Sequence, residues 1–211
     1  MDFLLAAALL LLGIWFLNSN EQRRRIVALS SHFQPYRIEK MMESLIDGYL
    51  RCLGEPDAQR REQIWQVLDA TEATLASQFQ SFANDFAQVD ERLARVSRLP
   101  VAIPLLGQVI PGLSFDVRQV FQVHARGIAE VAANREGRKA RDKAYMMSAE
   151  LLLMQHTCHW YCRSRSVASA RMLARHKTTY GQLLGAVSGG TRAGYREEVG
   201  VCRDLSGQIR H

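Results

Sequence analysis

The chain has 211 residues and a net charge of +6. With its apolar beginning set aside, about 190 residues remain, enough for one substantial domain or two small helical units. The charge is uneven, net −2 over residues 1–134, +7 over 135–177 and +1 over 178–211, so one segment makes the chain basic. Four cysteines, Cys52, Cys158, Cys162 and Cys202, follow no spacing of a small secreted disulfide domain, which excludes that class and predicts free thiols.

Residues 3–17, FLLAAALLLLGIWFL, carry no charge, and a short polar stretch with the triplet Arg23, Arg24, Arg25 follows at once. At 1.5 Å per residue the run reaches about 22 Å, short of the roughly 30 Å hydrocarbon core. Length alone therefore leaves open a cleaved signal, an uncleaved anchor and a surface helix. A secretory signal carries its basic residues before the apolar run and a small-residue site after it. Here Asp2 is the one charged side chain before the run, and the basic cluster comes after it. A surface helix needs a polar face, and residues 3–17 have none.

The expectation is a single-pass transmembrane anchor over residues 1–20, built on Phe3, Leu4, Leu12, Trp15 and Leu17, with Asn18 and Ser19 extending the helix into the interface. Arginines in short flanks stay on the cytoplasmic side, so Arg23, Arg24 and Arg25 predict that the bulk lies in the cytoplasm; the membrane expected is a bacterial-type inner membrane.

Residues 21–35 read as a basic juxtamembrane linker that continues the helix for a turn or more until Gln34-Pro35 stops it. From Tyr36 to Leu53, Ile38, Met41, Met42, Leu45, Tyr49 and Cys52 recur at helical spacing, and Gly54 ends the pattern. Asp57 can cap the next helix. Residues 58–98 then carry two rows seven apart, Trp65, Glu72, Phe79, Phe86, Leu93 and Leu68, Leu75, Phe82, Val89, Val96. The spacing predicts a long helix packed along its length against another, with 36–98 as a helical hairpin and Leu75, Phe79, Phe82, Phe86 and Leu93 as the seam for a partner helix. Glu72 is the polar exception, either solvated or fixing register.

Residues 99–115, LPVAIPLLGQVIPGLSF, have no charge yet hold three prolines. Interior prolines rule out a regular spanning helix, and an ordinary loop is polar. Such a loop must be covered by protein or by lipid, with Ile103, Leu105, Leu106 and Ile110 as the contacting residues.

Residues 116–177 read as long basic helices, opened by Ser114 and Asp116 as N-cap and first-turn carboxylate. Val117, Phe121, His124, Ile128 and Val131 form one apolar row and Met147, Leu151, Met154, Cys158, Tyr161, Ala168 and Met172 another. Residues 178–211 read as a Gly-rich linker and a short C-terminal helix that Thr191 caps.

His156, Cys158, His159 and Cys162 have side chains suited to zinc or haem, and His159 with Cys162 or Cys158 with Cys162 share a helical face. All four cannot meet on one straight helix, and Cys158 falls in the apolar row, where it reads as a small hydrophobe. His124 reads as a core histidine, and Glu150 as a buried acid that identifies no reaction by itself. Arg163, Arg165, Arg171 and Arg175 face no acid in the local sequence; they read either as a solvated face near the membrane surface or as a site for lipid phosphate or acidic protein, with nucleic acid the weaker alternative. No phosphate-binding Gly-rich loop, nucleophile elbow or HExxH motif is present, so hydrolase, kinase and NTPase chemistry have no support.

Together these readings predict an all-α protein, a single N-terminal transmembrane helix followed by an antiparallel long-helix bundle or coiled-coil domain. The function expected is that of a non-enzymatic scaffold or adaptor without cofactor. Its expected partners are other membrane-complex proteins and membrane lipid, in a homo- or hetero-oligomer. A metal- or haem-binding redox protein and a tethered binder of nucleic acid or anionic lipid are the alternatives.

Overall fold

The first helix does not stop where its apolar run stops. In this computed structural model, which describes residues 2–104 and 110–200, α1 (Asp2–Phe33) runs unbroken for 32 residues, about 48 Å. It is long and apolar enough to cross a membrane. Its first half stands clear of the rest of the chain, with Phe3 84% and Leu12 61% exposed. Its second half packs on the domain, so residues 21–33 are not a slack tether but part of the fold. Gln34-Pro35 ends the helix as the sequence predicts, because the residue before proline is driven out of the α region.

The described residues are all-α apart from one short pair of strands. After α1 come α2 (Ile38–Gly54), α3 (Ala58–Phe86), α4 (Glu91–Ala94), α5 (Val117–Ala133), α6 (Ala140–Cys162), α7 (Arg165–His176), α8 (Tyr180–Ala186) and α9 (Gly189–Val199). Asp57 caps α3 by accepting from the backbone of Gln59 and Arg60. Asp116, rather than Ser114, caps α5 by accepting from the Arg118 amide.

The core is a bundle around α6, which touches α1, α2, α5, α7 and α8 and buries residues on most of its circumference. On α2, Ile38, Met42, Leu45, Tyr49 and Cys52 form the buried stripe that the periodicity requires. Phe79, Phe82 and Phe86 of α3 interlock with Phe121 of α5 and Tyr161 of α6, at centroid distances of 5.2 Å for Phe82–Phe121, 5.0 Å for Phe86–Phe121 and 5.6 Å for Phe86–Tyr161. The end of α1 joins them through Phe33, 4.6 Å from Phe82.

This corrects the reading of the seam. Leu75, Phe79, Phe82 and Phe86 have no exposed surface, and α2 and α5 of the same chain cover the helix that carries them. Leu93 is half-buried against the same core. An a/d repeat states that a helix must be covered along one side; it does not say by which chain.

The 58–98 helix is also shorter than its repeat. It stops at Phe86, and Val89 and Val96 reach the core from a turn and from β1 (Arg95–Ser97). That strand pairs antiparallel with β2 (Ser114–Asp116), Val96 opposite Phe115. Three residues per strand are too few for an alternating pattern to stand out in sequence. The pair closes the neck of the Pro-rich loop. The Arg98 amide donates to Leu113 O at 2.8 Å, and its guanidinium bridges Gly112 O and Glu198 O, both at 3.1 Å.

Residues 178–200 are not a linker either. α8 and α9 bury Leu183, Val187, Thr191, Tyr195 and Val199, and Ser188, not Thr191, caps α9. Small residues allow this close approach. At Gly127, where α5 meets α6 and α9, an added Cβ would overlap Thr191 Oγ1 and lie 2.8 Å from Glu150 Oε2.

Candidate functional site

The arginine triplet is split by the fold. Arg23 and Arg24 are exposed, whereas Arg25 is buried, pairing with Glu21 and donating to Arg95 O at 2.7 Å. Its guanidinium carbon lies 5.8 Å from the Tyr161 ring centre. α1 is thereby latched to β1 and α6 by a charged group with partners on three sides.

Where the apolar half of α1 ends, Asn18, Glu21, Gln22 and Arg25 line a small cleft together with Val101, Ala102, Ile103 and Arg163. Arg163 donates to Gln22 Oε1 at 2.6 Å, and the Trp160 indole donates to Ser97 O at 2.9 Å. The start of the Pro-rich loop therefore sits beside the point where the apolar run ends. Val101, Ile103 and Ile110 are 59%, 42% and 45% exposed. Leu105 and Leu106 lie outside the described residues.

Farther along α1 its docked half forms one wall of an open groove of about 610 Å³. Ile26, Leu29 and Phe33 of α1, Met42 and Ile46 of α2, and Met154, Cys158 and Cys162 of α6 supply its apolar lining. Glu39, Glu43 and Asp47 stand on the α2 side, and Arg175 and His176 on the α7 side. Arg175 reaches Glu43 at 3.8 Å with both side chains about two-thirds exposed or more, a contact too solvated to stabilise much.

The candidate metal cluster comes apart in this geometry. Among the described residues no group of three His, Cys, Asp or Glu side chains is placed to hold a metal ion. His156 turns into the core, Nε2 3.1 Å from Ser169 Oγ and the ring stacked 4.9 Å from Tyr180. Cys158, His159 and Cys162 face the groove instead, and Cys202 lies outside the described residues.

Burial raises the Cys158 thiol well above its usual range and pushes Cys162 up to about 11, so both stay protonated near neutrality. Burial, then the charges of Arg171 and Arg175, lowers His159, whose Nδ1 accepts from Arg171 at 3.1 Å.

Nor do the four arginines form one patch. Arg163 belongs to the small cleft beside Gln22, Arg165 lies 5.7 Å from the Trp160 ring, Arg175 lines the groove, and Arg171 donates to His159 on the groove wall. The absence of acids in the local sequence does not carry into space, since Glu43 of α2 faces Arg175.

Two buried polar groups tie helices together in ways a linear reading misses. Glu72, 1% exposed, accepts from Tyr49 OH at 2.5 Å and pairs with Lys143 Nζ at 2.6 Å; Lys143 also donates to Asp69 at 2.7 Å. Burial raises the Glu72 pKa although Lys143 and Tyr49 work against it. Burial also opposes the Lys143 charge, but Asp69 and Glu72 outweigh it and leave the pKa raised. The odd residue of the seam thus links α2, α3 and α6 through Tyr49 and Lys143.

Glu150 accepts from the Ser188 amide at 2.9 Å, and burial raises it to about 6 against the donors on Ser188 and Thr191. His124, held near 3 chiefly by burial and then by His156, lies 2.9 Å from Thr157 Oγ1, which is 3.2 Å from Tyr195 OH. Its place in the apolar row identified it as a core histidine. Partners 33 and 71 residues away are beyond sequence spacing.

Compared with protein-family models, with curated proteins and with solved structures, the chain gives no match.

Proposed function

We propose that the protein is a non-enzymatic adaptor, anchored by α1 in a bacterial-type inner membrane with its helical domain in the cytoplasm, that holds a partner protein at the membrane. The observation that carries this reading is the shared helix. The same 32-residue helix that is apolar enough to cross a bilayer is also a wall of the open groove. A partner docked there has its height and orientation above the bilayer set by a rigid element rather than by a flexible tether.

The groove's size, about 610 Å³, lies in the range of binding sites and suits the apolar side chains of one face of a helix rather than a whole helix. Glu39, Glu43 and Asp47 along one rim and Arg171 and Arg175 near the other favour a partner helix with basic and acidic flanks.

The test is the native mass and chain content of the full-length protein extracted from its own membranes in mild detergent. A defined complex that is lost on Ile26→Glu with Ile46→Glu, while Val67→Glu leaves it intact, supports the reading. A lone monomer overturns it, as does a complex indifferent to the groove substitutions. The orientation is tested separately by a reporter fused after the domain: Arg23→Glu with Arg24→Glu should weaken cytoplasmic placement, because basic flanks set topology.

A further inference from the structure

The Pro-rich loop has an apolar surface, a fixed neck and a location, and the three together say what covers it. Its neck is held by β1–β2 pairing and by the Arg98 bonds to Leu113, Gly112 and Glu198, and the Ser166 amide donates to Pro100 O at 3.1 Å. So anchored, the loop cannot fold back over the bundle along this stretch: Val101, Ile103 and Ile110 remain 59%, 42% and 45% exposed.

Its location follows from the cleft that Val101, Ala102 and Ile103 share with Asn18 and Gln22. Asn18 is the first residue after the apolar run, so these exposed side chains lie at the level where α1 leaves the hydrocarbon.

The length of the run adds a second argument. Fifteen apolar residues span about 22 Å against a core of roughly 30 Å, a shortfall of about 8 Å. Either the bilayer thins or the foot of the domain is drawn into the interfacial layer, and a foot bearing Val101 and Ile103 favours the second. Glu21, the one carboxylate lining the cleft, is paired with Arg25, so no unpaired acid there resists that approach. Exposed Arg163, held at the foot by Gln22, is placed to meet lipid phosphate.

We propose that residues 98–103, with Ile110, form a second membrane contact beside the anchor, inserting apolar side chains into the interfacial layer while Arg163 binds headgroup phosphate. The contact rests on the reading of α1 as a spanning anchor. With two points on the bilayer instead of one, the domain and its groove are held against rotation about the anchor axis.

The test places a photoreactive benzoylphenylalanine, one position at a time, at Leu12, Ile103 or Val67 of the full chain. Each protein is reconstituted in vesicles of phosphatidylethanolamine and phosphatidylglycerol. Lipid adducts at 103 about tenfold above those at 67, as expected for an interfacial side chain, support the contact. Adducts at 12 without adducts at 103 overturn the loop contact and leave the anchor standing. Adducts at neither position overturn the anchor and the contact with it. Adducts at 103 without 12 overturn the anchor, and with it a second contact placed beside it. A protein–protein adduct in place of lipid at 103 overturns the lipid assignment.

Discussion

Replacing Lys143 with Met removes one partner of a buried pair and leaves the other behind. Glu72 is 1% exposed and lies 2.6 Å from the Lys143 ammonium, with Tyr49 OH 2.5 Å from its other oxygen. Stripping the cation leaves a carboxylate whose remaining neutralising contact is one hydroxyl. Breaking a buried pair in this way costs about 3–5 kcal/mol, far above the roughly 0–1 kcal/mol of an exposed pair.

The sign of the pH dependence follows from the raised Glu72 pKa, which rises further once Lys143 no longer lowers it. A carboxyl with a folded pKa above its unfolded 4.5 contributes stability that is fully present below 4.5 and lost as pH rises through the folded value. The Lys143→Met deficit should therefore be largest at neutral pH and shrink on acidification. Adding Glu72→Gln, which keeps an acceptor for Tyr49 but no charge, should recover most of the loss, to within about 1–2 kcal/mol of the parent.

Guanidinium unfolding of the full-length protein in detergent, followed by far-ultraviolet circular dichroism across pH 4 to 8, reads both effects. A Lys143→Met deficit below about 1 kcal/mol at neutral pH, or no recovery with Glu72→Gln, would refute the assignment of this pair as the lock between α2, α3 and α6.

Gly127→Ala should lower stability by about 1–3 kcal/mol through overpacking against Thr191, and adding Thr191→Ala should restore part of it; thermal melts of the two variants check this. Glu150, at about 6 in the fold against 4.5 unfolded, should take roughly 2 kcal/mol from stability as pH rises through that window. Glu150→Gln should flatten that part of the pH–stability curve, and a curve of unchanged slope would contradict it. Arg25→Met should loosen the docked half of α1, raising hydrogen exchange of amides 21–33 by about 10- to 150-fold, as expected for a charged hydrogen bond worth roughly 1.5–3 kcal/mol; Arg24→Met should leave that exchange unchanged.

Much of this protein can be read directly along the chain. The absence of any polar face in residues 3–17 identifies the exposed apolar half of α1, and three- and four-residue spacing identifies the buried stripes of α2 and α5. Those signals are local, fixed by 1.5 Å and 100° per residue, and survive whatever the helices pack against.

Who covers a stripe is a different matter. The phenylalanine row of α3 predicted a partner, and the fold supplies one from the same chain because α5, some thirty residues on, brings Phe121 to the same place. The His156–Cys162 cluster shows the converse. Neighbours in sequence are sent to opposite sides of α6, one into the core and three to the groove.

Tertiary structure alone joined Asn18 to Ile103, Glu72 to Lys143 and Gln22 to Arg163, over separations up to 141 residues. No helical or strand period reaches so far. These contacts exist because short turns and a two-strand neck fold the bundle back onto α1 at the point where its apolar half ends.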